Sequence, residues 1–154
     1  MIRKISGLFA LIACMVACSK DKFQTKPSLE LKSISSKTVP VDGSMNISLE
    51  FTDKEGDVND TLFLFKVRVN KRATATVRDT LLLQVPDFPQ KSKGEINLQL
   101  AYQNYLISAI TPLNALPPAT GKESDSLTFK LVLKDKGNHT SDTLVINDIV
   151  IKRQ

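Results

Sequence analysis

From residue 29 onward the apolar residues recur with a period of two, and that alternation restricts the fold more than any other feature of the chain. Met45, Ile47, Leu49 and Phe51 are separated by Asn46, Ser48 and Glu50, and Ile96, Leu98 and Leu100 by Asn97 and Gln99. Leu127, Phe129, Leu131 and Leu133 repeat the pattern against Thr128, Lys130 and Lys134. Successive side chains of a strand point to opposite faces, so each segment predicts a strand with one buried side. Phe63, Phe65, Val67 and Val69, set against Leu64, Lys66 and Arg68, read the same way and predict a buried phenylalanine face. Shorter runs at 29–34 and 81–85 add two more strands. Near the C-terminus Leu144 and Ile146 share one parity and Ile149 and Ile151 the other, so Asn147-Asp148 marks a β-bulge. About seven strands at this spacing, with no long helical period, predict an all-β, immunoglobulin-like β-sandwich.

The first residues follow a different grammar. Arg3 and Lys4 precede an almost wholly apolar stretch over 5–17, which ends in Met15-Val16-Ala17-Cys18. This resembles the bacterial lipoprotein signal, in which cleavage falls before the cysteine and its sulfur carries a diacylglycerol. The resemblance implies removal of residues 1–17 and lipidation at Cys18. The apolar stretch is shorter than the ~20 residues a spanning helix needs. Residues 18–28 are polar, carry Lys20, Asp21, Lys22 and Lys26, and read as a tether. Residues 29–154 form one domain of about 125 residues, enough for a real core. Cys14 falls in the removed segment and Cys18 is consumed by the lipid, so no thiol is left for a disulfide even though an exported compartment permits one. Loss of Arg3 and Lys4 lowers the net charge from +5 to +3, too small and dispersed an excess for a nucleic-acid partner.

Two acidic turns interrupt the alternation. Residues 51–60 carry Asp53, Glu55, Asp57 and Asp60 around Gly56, and residues 134–142 carry Asp135, Asn138 and Asp142. If the first turn joins the second and third strands of an immunoglobulin-like sandwich and the second joins the last two, both loops lie at one pole. Crowded carboxylates repel one another, and either solvent or a cation must relieve them. Ca²⁺ takes about 6–8 oxygens, often from loops with alternating acids and a glycine at the sharp turn, and Asp53-Lys54-Glu55-Gly56-Asp57 has that form without the spacing of an EF-hand. Two readings stay open: a Ca²⁺ site built from Asp53, Glu55, Asp57, Asp60 and Asp135, or turns in which Gly56 supplies positive φ and the acids bond their own backbone.

The same turns carry a family resemblance. Phe51, Thr52, Asp53, Gly56 and Asp57, then Lys134, Asp135 and Asp142, are similar residue by residue to the F-T-D-x-x-G-D and K-D-x-x-G-N-x-[ST]-[DN] turns of small Bacteroidota outer-membrane lipoproteins with an immunoglobulin-like domain. Gly137-Asn138 come one residue sooner than in the usual form, and Lys93-Gly94-Glu95-Ile96 resembles the family's middle strand entry. The resemblance covers most of 29–152. It implies the sandwich fold, fatty-acyl anchoring in the cell outer membrane on its periplasmic face or at the cell surface, and no assigned activity. Asp-[Ser/Thr]-Leu recurs at 60–62, 79–81, 125–127 and 142–144 and resembles the O-glycosylation sequon of exported Bacteroidota proteins. That resemblance implies glycans on Thr61, Thr80, Ser126 or Thr143, whereas the same tripeptide also serves as an ordinary strand start.

Catalysis finds little support. The single histidine, His139, which any Ser/His/Asp or Cys/His arrangement would have to use, lies in the second acidic turn, where a solvated side chain rather than a general base is the ordinary expectation, and one His with no free Cys leaves too few nitrogen or sulfur ligands for zinc. Paired carboxylates could hydrolyse a glycoside, but the chain has no Trp for a sugar platform. A long proline-interrupted segment at 103–124 exposes Tyr105, Leu106 and Leu113 to a partner or else covers the open end of the sandwich, with a helical turn at 104–110. Lys66, Arg68, Lys71, Arg72 and Arg78 read as a solvated basic edge that discourages aggregation. The expected protein is therefore not an enzyme. It is a membrane-tethered binding or accessory module of the bacterial envelope, contacting an envelope protein or glycan through 103–124, with a structural lipoprotein lacking a discrete ligand site as the alternative.

Overall fold

A computed structural model describes residues 25–154, so the expected signal segment, Cys18 and the first part of the tether lie outside the described residues. Eight strands follow in chain order: β1 (Ser28–Ile34), β2 (Thr38–Val39), β3 (Ser44–Thr52), β4 (Thr61–Arg68), β5 (Thr76–Gln84), β6 (Lys93–Ala101), β7 (Asp125–Lys134) and β8 (Leu144–Ile151). They form a three-stranded sheet ordered β1-β3-β6 and a five-stranded sheet ordered β2-β8-β7-β4-β5. All pairings are antiparallel except β2 with β8, and because β1 and β2 belong to different sheets the chain crosses between the layers from one to the other. This is the expected all-β sandwich, with β2 as an added strand of two residues, too short for any periodicity to announce. No helix among the described residues is long and apolar enough to cross a membrane.

Alternation becomes burial in β3, where Met45, Ile47, Leu49 and Phe51 face inward, and in β7, where Leu127, Phe129, Leu131 and Leu133 meet them from the other sheet. Each such side chain contributes about 1.5–3 kcal/mol when fully buried. Gly94 sits opposite Phe51 in the β3–β6 ladder, and a Cβ there would lie 2.5 Å from the ring. Glycine at the entry to β6 thus makes room for one of the two fully buried phenylalanines of the core. The bulge expected at Asn147-Asp148 is present: the β7–β8 register shifts there, and Asp148 adopts φ +64°.

Strand β4 reverses the expected parity. Leu62, Leu64, Lys66 and Arg68 face inward, and Phe63, Phe65 and Val67 lie half-buried on the outer face. Lys66 and Arg68 are 0% and 3% exposed, so the expected basic edge dissolves for these two, whereas Lys71, Arg72 and Arg78 remain exposed. The physical reason lies in the segment after β6. A single wide turn at Tyr102–Leu106, closed by the Ile107 N–H donating to the Tyr102 carbonyl at 3.0 Å, starts two residues before the helical turn expected there. From it the chain folds over the open end of the sandwich, and Leu106 (0% exposed) and Ile110 join the core. Its carbonyls need buried donors, which the two cations supply.

Candidate functional site

The strand order brings the loop after β3 and the loop after β7 to the same pole, because Thr61 at the start of β4 pairs with Lys134 at the end of β7. The Lys136 N–H donates to the Asp57 carbonyl at 3.1 Å and joins the two loops. Gly56 adopts φ +71°, and a Cβ on it would lie 2.8 Å from the Lys91 nitrogen, so the turn requires glycine. Asp53 is wholly buried. Its Oδ2 accepts from the Gly56 N–H at 2.6 Å and the Asp57 N–H at 3.2 Å, whereas its Oδ1 is buried without a partner. Asp57 Oδ1 is likewise buried and unpartnered. In the second loop Asp135, 1% exposed, accepts from the His139 N–H at 2.8 Å and faces its Nδ1 at 3.0 Å.

Asp53, Asp57 and Asp135 each present one carboxylate oxygen to a common point, and these oxygens all lie within 4.8 Å of one another. Burial raises the Asp53 carboxyl above its usual range, the Asp57 and Gly56 N–H groups oppose that, and the neighbouring Asp57 and Glu55 charges raise it further. The turn bonds expected of these acids are therefore real and coexist with convergence on one point. Glu55 and Asp60 do not join the cluster: Glu55 is exposed, and Asp60 faces Lys134 at 3.4 Å and accepts from the Thr61 hydroxyl at 3.0 Å. Asn138 takes the left-handed turn position (φ +67°), and the exposed Asp142 pairs with Lys26.

The opposite end holds a buried ionic network that periodicity missed. Lys66 Nζ lies 2.8 Å from Asp79 Oδ2, donates to Ser108 Oγ at 2.7 Å and its carbonyl at 3.0 Å, and also reaches the Tyr105 carbonyl. Arg68 pairs with Asp125 at 3.0 Å and bonds the Thr111 carbonyl, while Arg153 bonds the other Asp125 oxygen at 2.5 Å and the Ile110 carbonyl at 2.9 Å. Burial lowers the Lys66 ammonium, against the raising influence of Asp79. For Asp79 burial raises the carboxyl, but Lys66, Ser108 and the Thr80 N–H together bring it below its usual range. Lys66 has no exposed surface, whereas Asp79 keeps 17% of its side chain in water. This network pins the 102–124 cover. Leu106 consequently cannot be a contact residue, and Tyr105 and Leu113 are half-buried rather than displayed.

Exposed apolar surface collects on the outer face of the five-stranded sheet. Phe63 and Phe65 stack with centroids 6.3 Å apart, Leu82 stands opposite Phe63, and Val77 stands opposite Val67. Leu82, Val77 and Val145 are 67%, 57% and 46% exposed. A strand that is apolar on both parities, as Leu62-Phe63-Leu64-Phe65 is, was the sequence signal for such a face. Of the candidate glycan acceptors, Thr80 and Thr143 are exposed, and Thr61 and Ser126 are half-buried.

No protein-family model and no curated protein sequence matches this chain. Among solved structures it is similar to a β-glucosidase from Listeria innocua in complex with gluconolactone, at 10% identity and a TM-score of 0.39, over 82% of this chain and 16% of that one. It is also similar to a β-glucosidase from Kluyveromyces marxianus in complex with glucose, at 10% identity and a TM-score of 0.39, over 84% of this chain and 14% of that one. The chain thus spans about one sixth of the length of these enzymes.

Proposed function

We propose that this protein is a non-catalytic binding module of the bacterial envelope, anchored in the outer membrane through a lipidated Cys18, that docks an envelope protein on the outer face of its five-stranded sheet. The observation that carries this reading is the apolar stripe of Phe63, Phe65, Val67, Val77 and Leu82 on β4 and β5, with Val145 beyond it on β8. Contiguous exposed apolar surface on a small domain marks an interaction site more often than scattered residues do. Charge defines the partner. Lys130 stands on that face between Phe65 and Val145, Lys134 at its edge is paired with Asp60, and no Asp or Glu occupies an outward position of β4, β5 or β7. The matching surface is apolar and carries an acidic group opposite Lys130.

Affinity recovery of the lipidated protein from detergent-solubilised membranes tests the reading. The expected result is one stoichiometric protein partner, released as salt is raised, lost in Leu82→Glu and retained in Leu31→Glu, which alters the other sheet. Equal recovery by both variants would remove the proposed face. Recovery of no partner would return the protein to a structural role in the envelope.

A further inference from the structure

We infer that Asp53, Asp57 and Asp135 form a binding site for one Ca²⁺ ion between the 53–60 and 135–143 loops. Acids clustered on a surface ordinarily relax by turning into water, and here two observations stand against that. Three carboxylate oxygens converge within 4.8 Å, and Asp53, with no exposed surface, keeps an oxygen that no donor reaches, as does Asp57. A buried carboxylate oxygen without a partner is strongly unfavourable, so a group of opposite charge is what the geometry lacks. Ca²⁺ accepts irregular oxygen geometry from flexible loops, whereas Mg²⁺ demands near-ideal octahedral geometry and gives up its waters reluctantly, so a set drawn from two separate turns suits Ca²⁺ better. An all-carboxylate donor set also favours a hard cation.

The surrounding bonds hold the ligands in place without consuming them. The Gly56 and Asp57 N–H groups fix Asp53 through Oδ2, the His139 N–H fixes Asp135 through Oδ1 while its Nδ1 faces Oδ2, and a carboxylate oxygen with one such partner still has a lone pair for a cation. Half-buried Asp57 provides the side open to water, where solvent completes the coordination. Because Asp53 follows β3 in one sheet and Asp135 follows β7 in the other, the ion staples the two layers at this pole.

Calorimetric titration of the full chain in detergent, stripped with EDTA and then supplied with CaCl₂, tests the site. One ion per chain is expected, with a Kd on the order of 10⁻⁴ M as in other extracellular modules. A hundredfold excess over Kd should raise Tm by about 5–10 °C. Asp57→Asn should weaken binding by about tenfold or more, and Asp142→Asn, at an exposed acid of the same pole, should leave it intact. Asp53→Asn guards against a folding defect, because the amide oxygen still accepts from Gly56 while the orphaned charge is gone. That variant should melt at or above wild type in EDTA and gain nothing from calcium. Identical curves in calcium and EDTA, a response that survives Asp57→Asn, or an equal rise with MgCl₂ would each overturn the assignment.

Discussion

Lys66 and Asp53 are both wholly buried charges, and their surroundings treat them in opposite ways. Lys66 has Asp79 and three oxygen acceptors from the cover segment, so its three N–H donors are all used. Removing only the cation therefore strands Asp79 and two carbonyls, and Lys66→Met is expected to destabilise the fold by about 3–5 kcal/mol in urea melts. Desolvation offsets much of the attraction within a buried ion pair, so replacing both partners by apolar groups of similar volume is often no less stable. Lys66→Met combined with Asp79→Leu should accordingly recover much of that loss, which a double-mutant cycle measures directly. A double variant as unstable as the single one would show that the carbonyls, rather than Asp79, dominate the site. At Asp53, by contrast, neutralisation removes a charge with an unpartnered oxygen, so the same kind of substitution carries the opposite sign of effect in the absence of a cation.

Among the elements, the 102–124 segment shows how differently neighbouring apolar residues behave. Leu106 lies in the core, and Leu106→Ala is expected to cost about 2–5 kcal/mol, whereas Leu116→Ser, at 58% exposure, should stay within about 0.5 kcal/mol. The segment should also loosen in acid. The folded state holds Asp79 below its usual pKa, so the stability it contributes is present above the unfolded value and is lost as pH falls through the folded one. Amide exchange over 102–124 should therefore rise below about pH 4, and Asp79→Asn should flatten that dependence. The strands themselves were legible because β3 and β7 bury one parity and wet the other, and even the bulge at Asn147-Asp148 followed from a change of parity. The buried face of β4 was not, since its inner parity carries Lys66 and Arg68 and its outer parity carries Phe63 and Phe65. Hydrophobicity alone assigns the phenylalanines to the core. The decisive partners, the carbonyls of Tyr105, Ser108 and Thr111, are backbone groups that no side-chain pattern reveals. The acidic pole was legible through topology, which placed the two loops together, but the exclusion of Glu55 and Asp60 depends on where each side chain turns.

At the scale of the whole molecule the two ends differ in kind: one gathers buried carboxylates between two loops, and the other is closed by cations that hold a long cover. The first described residues lead into β1 at the acidic end, since Ser28 pairs with Thr52, and Lys26 reaches Asp142 of the loop before β8. An anchor at Cys18 would thus hold the domain by the end proposed to bind calcium, with the outer sheet face lateral to it and open to a partner. Each buried CH₂ of an acyl chain contributes about 0.8 kcal/mol to membrane attachment, so one chain holds a protein marginally and two or more hold it stably. In this proposal attachment rests on the lipid. Cys18→Ser is therefore expected to move the protein from the sedimented membrane fraction to the soluble one, while its β-sheet circular dichroism and Tm stay as in the acylated form. Cell fractionation followed by immunoblotting reads the outcome. Continued sedimentation of Cys18→Ser at the wild-type level would mean that lipidation is not what keeps the protein at the membrane.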